Sequence, residues 1–88
     1  MLIEAATRKD LSIAEILVKG GVDINTMVGG TTALIQAAVN HDKLLMRFLL
    51  ENGADANKVG YTTALIEIVR RGDKSMVRLL LDNGASEG

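Results

Sequence analysis

Two short phrases return along this chain in register. Gly21-Val22-Asp23-Ile24-Asn25 recurs as Gly53-Ala54-Asp55-Ala56-Asn57, and Thr31-Thr32-Ala33-Leu34-Ile35 recurs as Thr62-Thr63-Ala64-Leu65-Ile66. The spacing is 32 residues for the first and 31 for the second. A fixed period between about 20 and 50 residues marks a stacked-repeat solenoid, in which each unit exposes an apolar face that only its neighbours can cover. Three units fit the 88 residues: a partial one at 1–26, a second at 27–58 and a third at 59–88. Together they form one small domain.

The middle unit shows why each repeat is a helix pair. Thr32 precedes a segment whose Leu34, Ala37 and Ala38 fall at i, i+3 and i+4, the spacing of one helix face. Its hydroxyl is placed to accept from an unpaired amide of the first turn, a contribution of about 1 kcal/mol. Ala37 and Ala38 are small enough to let a second helix approach closely. That helix is marked by Leu45, Phe48 and Leu49, with Lys43, Arg47 and Glu51 interleaved on the solvent side. The connection Asn40-His41-Asp42 is so short that the two helices must run antiparallel. Gly53 ends the second helix, because glycine enters the left-handed region without a Cβ clash. Unit three repeats the layout with Leu65, Ile68 and Val69, then Met76, Leu79 and Leu80. Unit one has Ala5 and Ala6, then Ile13, Ile16 and Leu17.

Composition narrows the class of function. The core must be aliphatic, since the chain has one Phe, one Tyr and no Trp. There is no cysteine, which excludes disulfides, makes thiolate zinc implausible and suits an intracellular, cytoplasmic protein. The net charge is −1 with acids and bases interspersed, so no basic stripe invites nucleic acid. Apolar runs such as Leu44-Leu45-Met46 are broken by charge far short of the roughly 20 residues that span a bilayer.

Residues 32–57, from Thr32 through the Ala37-Ala38 pair and the leucines of the second helix to Gly53-Ala54-Asp55-Ala56-Asn57, resemble the ankyrin repeat. That family's pattern runs Thr-Pro-Leu-His, an Ala pair, a Gly-His turn, a Leu pair and Gly-Ala-Asp-x-Asn. The resemblance implies an all-α repeat solenoid of stacked antiparallel helix pairs, joined by β-hairpin fingers and presenting a concave protein-binding surface. Departures are informative. Ala33 and Ala64 stand where the family has proline, and Ile35 and Ile66 where it has histidine. Lys9 and His41 occupy the position of the turn glycine that Gly72 retains. The repeats fall one and two residues short of the usual length of about 33, with the deficit between the Asn and the Thr, so the fingers should be stubby.

The resemblance places the partner-binding positions on the fingers and the ends of the first helices. These are Thr7 and Arg8; Met27, Val28, Thr31, Val39 and Asn40; and Val59, Tyr61, Thr62, Arg70 and Arg71. Tyr and Arg are enriched in binding hot spots, and Arg8, Arg70 and Arg71 could offer a basic edge to an acidic or mixed peptide surface. The same arginines could instead simply favour the helix C-terminal dipole. His41-Asp42 is the one pair suggestive of general-base chemistry, but adjacent loop residues seldom meet the geometry that role demands. Asp10, Asp42 and Asp73 recur at the same turn and read as helix-start acceptors rather than a metal cluster. No enzyme activity, cofactor or metal is expected. The outer face of unit three, with Ile68, Val69, Val77, Leu80 and Leu81, carries an alternative function, a structural or self-associating fragment of a longer array packing on another copy.

Overall fold

The computed structural model describes residues 1–60 and 62–85, and six helices run through them. They are α1 (Leu2–Thr7), α2 (Leu11–Lys19), α3 (Ala33–Val39), α4 (Lys43–Glu51), α5 (Ala64–Arg71) and α6 (Lys74–Asp82). Each odd-numbered helix pairs with the even one that follows it, and α3 packs between α1 and α5.

Every helix after the first begins at a side-chain cap. Thr32 Oγ1 accepts from the Ile35 amide at 3.2 Å, and Thr63 Oγ1 from the Ile66 amide at 3.1 Å. Asp10, Asp42 and Asp73 do the same for α2, α4 and α6, accepting from Ile13, Leu45 and Met76 at 3.1, 3.2 and 3.1 Å. A short polar side chain one position before the first turn satisfies an amide that the helix itself cannot. The turns between paired helices need one left-handed residue each. It is Lys9 at φ 58°, His41 at φ 56° and Gly72 at φ 72°. Glycine enters this region freely, whereas lysine and histidine are strained there.

The finger of the second repeat is one antiparallel bridge, Val28 to Thr31. Gly29 and Gly30 lie between them at φ 60° and 76°, the two positive values that a two-residue hairpin turn requires. No strand forms among the described residues, in keeping with the shortened segment between Asn and Thr. Successive fingers touch through backbone: a Cβ at Gly60 would overlap the Gly30 carbonyl.

The core is aliphatic, with Ile35, Leu45, Met46, Leu49, Ile68, Met76 and Leu80 the largest fully buried side chains. Phe48 sits at its margin, partly buried. One expectation needs correction here. Ile13, Ile16 and Val69 fit the helical spacing of a core face, yet all three are exposed, whereas Ile68 and Leu80, expected on the outer face of unit three, are fully buried. In α2 the inward contacts come from Ala14, with Leu11, Leu17 and Val18 beside it. Spacing identifies an apolar face of the helix, but the flank of that face which points along the stack is covered only where a neighbouring repeat exists.

Candidate protein-binding surface

Three sets of side chains hold the repeats in register, and they include two of the residues expected to contact a partner, Asn40 and Arg71. The first set lies at the ends of the odd-numbered helices. Asn40 Nδ2 donates to the carbonyls of Ala6 and Thr7 at 3.1 and 3.3 Å, and so caps the C-terminus of α1. One repeat later, Arg71 at the equivalent position donates to the Val39 carbonyl at the end of α3. Both reach carbonyls of a last helical turn, where the helix offers no partner of its own, although Ala6 also accepts from the Lys9 amide. Asn40 and Arg71 therefore tie one repeat to the one before it.

The second set lies below the fingers. Asn25 Oδ1 accepts from the Asp55 amide at 2.7 Å, while its Nδ2 donates to the Gly53 carbonyl at 3.3 Å. Asn57 repeats the second contact, donating to the Gly84 carbonyl at 2.7 Å. An asparagine is suited to this place because it carries both a donor and an acceptor. The aspartates two residues earlier, Asp23 and Asp55, accept from the Asn25 and Asn57 amides, each at 2.9 Å, and shape the loop.

The third set lies at the turns between paired helices. His41 Nε2 is 3.0 Å from Asp73 Oδ2, and Lys43 Nζ donates to Ser75 Oγ at 2.9 Å. Ser75 Oγ donates in turn to Asp73 Oδ1 at 2.9 Å. Hydrogen bonding from the Ser75 hydroxyl, and then from the Met76 amide, holds the Asp73 carboxyl below its ordinary value, with the nearby imidazole acting in the same direction. The sequence pairs His41 with Asp42; the fold gives it Asp73 and leaves Asp42 to cap α4.

The remaining candidates are differently placed. Met27, Val28 and Val59 stand exposed on the finger segments. Arg8 is exposed just beyond α1, and Val39 is partly buried at the end of α3. Thr7 Oγ1 donates to the Ile3 carbonyl at 2.9 Å, and Thr31 Oγ1 to the Thr32 carbonyl at 3.3 Å. Thr62 Oγ1 donates to Glu67 Oε2 at 2.9 Å, and the guanidinium of Arg70 lies 3.8 Å from the same oxygen. Tyr61 lies outside the described residues. Glu67 is the residue that sequence reasoning passed over: three positions before Arg70 on one helix face, it offsets part of the charge the arginines bring. Its i, i+3 spacing to Arg70 was the available signal.

Among the described residues, no group of three or more His, Cys, Asp or Glu side chains is arranged to hold a metal ion. No helix there is long and apolar enough to cross a membrane.

The comparisons agree with this architecture. The solved structure of the Legionella effector AnkH superposes at a TM-score of 0.91 with 38% identity, covering 97% of this chain and 19% of that one. The human ASB11 ankyrin repeat domain gives 0.86 with 31% identity, over 97% of this chain and 40% of that one. The palmitoyltransferase akr1 of Schizosaccharomyces pombe is 41% identical over 61 residues, which is 67% of this chain and 10% of that protein. The chain thus spans a small part of the proteins it matches. A family model for ankyrin repeats in three copies matches residues 2–87, and the chain belongs to the ankyrin repeat family.

Proposed function

We propose that this chain is a non-catalytic protein-binding module that engages its partner through the fingers and the ends of the first helices, on the concave face. Ankyrin repeats mediate protein–protein interaction, which sets the class of activity. The observation that carries the finer reading is the exposure of Met27, Val28 and Val59 on fingers whose backbone is already pinned by the Asn25 contacts and the Gly30–Gly60 approach. Apolar side chains held on a rigid frame lose little conformational entropy on association, so more of the contact energy becomes affinity. Arg70 brings positive charge beside the third finger, where Glu67 links it to Thr62 and tempers it. A mixed apolar and acidic surface is the complementary partner. Asn40 and Arg71 contribute by holding the repeats in register.

The test is affinity capture with the 88-residue chain and with a Val28→Ala, Val59→Ala variant, both first checked by circular dichroism. A partner retained by the first and lost by the second supports recognition on the fingers. A partner bound equally by both contradicts it.

A further inference from the structure

Equivalent positions along the stack reveal which flank of each repeat is meant to be covered. Ile13, Leu45 and Met76 share one position on the second helices; the last two are 0% exposed and Ile13 is 45% exposed. Within these 88 residues no repeat packs on the N-terminal side of the first, so this position faces the N-terminal side of each repeat. Ala38 and Val69 share a position on the first helices, at 0% and 57% exposure, and Ile35 and Ile66 another, at 1% and 48%. These face the C-terminal side. In the third repeat Val69 borders a groove of about 580 Å³ that Lys74, Val77, Arg78, Leu81 and Asp82 also line.

At the helix ends the two open faces match each other as the second and third repeats do, although Gly88 stands where the second repeat has its tying Asn57. The third repeat docks on the second through Arg71 on the Val39 carbonyl, Ser75 beneath Lys43, and the buried Met76. The first repeat carries Arg8 at the place of Arg71, Ser12 at that of Ser75 and Ile13 at that of Met76. The third repeat carries Lys74 at the place of Lys43, and its Arg70 carbonyl stands where Val39 offers its own. His41 has no counterpart there, since Gly72 takes its position.

We infer that the occupant of the C-terminal face is a second copy of this chain, seated head to tail by its first repeat in the geometry that joins repeats two and three. Arg8 of the incoming copy donates to the Arg70 carbonyl, Ser12 accepts from Lys74, and Ile13 packs over Val69 and Leu81. The contact joins two different surfaces, so it leaves an open face at each end and extends with concentration. It uses the flanks of the stack and leaves the fingers free, so its failure would not bear on the finger reading.

Sedimentation velocity decides it. The wild-type chain should show an average mass rising above that of one chain between micromolar and millimolar concentration. Ile13→Glu removes one face and Val69→Glu the other. Each variant alone should stay at single-chain mass, whereas an equimolar mixture should double it and grow no further, because one intact face of each kind remains. Both side chains are exposed, so helical circular dichroism should match wild type; Ile16→Glu and Leu81→Glu form a second pair if it does not. A wild-type chain that stays monomeric throughout overturns the proposal and leaves the face to a different partner or to flanking repeats. Association of either variant alone, or a mixture that stays at single-chain mass, overturns the head-to-tail geometry.

Discussion

His41 lies 3.0 Å from Asp73, the acid that caps the last helix of the following repeat. The pair crosses a repeat junction, and Asp73 also accepts from the Ser75 hydroxyl and from the Ser75 and Met76 amides. Its carboxyl therefore ionises below its ordinary value of 3.8 in the folded chain. The fold favours the ionised form, so this contribution to stability is complete above pH 3.8 and falls away as the pH drops through the folded value. Melting temperatures of wild type and Asp73→Asn should differ at neutral pH and converge in acid. A difference that persists at low pH would contradict the assignment.

Lys9 adopts φ 58° at a turn where the third repeat has Gly72. A non-glycine residue in this region carries strain of about 1–2 kcal/mol, against which the added freedom of an unfolded glycine weighs about 0.4–1 kcal/mol. Lys9→Gly should stabilise the chain by about 0.5–1 kcal/mol, measured as a higher urea midpoint. His41→Gly should gain less, because it also removes the contact with Asp73.

Gly60 lies against the Gly30 carbonyl, with no room for a Cβ. Gly60→Ala must push the two fingers apart, at about 1–3 kcal/mol, the range of overpacked sites. Asn25→Ala removes two hydrogen bonds across the first junction and should cost about 1–3 kcal/mol. Denaturant unfolding of both variants provides the comparison.

Leu49 is fully buried and Ile16 is exposed, although both fit the helical spacing of an apolar face. Leu49→Ala should cost about 2–5 kcal/mol, a large share of the stability of so small a domain. Ile16→Ala should lie within about 0.5 kcal/mol of wild type. Equal effects in the two would mean that the register along the stack is different.

What could be read from the sequence follows the range of the interactions. The caps at Thr32, Asp10, Asp42 and Asp73 are local, each reaching an amide three residues on, and they were legible. The place of the turns was legible too, because Lys9, His41 and Gly72 share the turn-glycine position of the repeat, but the left-handed backbone at Lys9 and His41 was not. Contacts between repeats were not. His41 meets Asp73, Arg71 meets Val39 and Asn25 meets Asp55 across about 30 residues, a relation that periodicity within one unit does not specify. For the same reason Ile13 and Val69 looked like core: their burial depends on the presence of a neighbour, not on the helix that bears them. Asn40 and Arg71, assigned by resemblance to a partner, turn out to be engaged with the preceding repeat.

The most direct measurement is the affinity of a captured partner for three chains by isothermal titration: wild type, the Val28→Ala, Val59→Ala variant, and Leu44→Ala. Leu44 is as exposed as the two valines but lies on α4, away from the fingers. Recognition by the fingers predicts a loss of about tenfold or more, some 1.4 kcal/mol, for the valine variant and no change for Leu44→Ala. Wild-type affinity in the valine variant, or loss in Leu44→Ala alone, would contradict it.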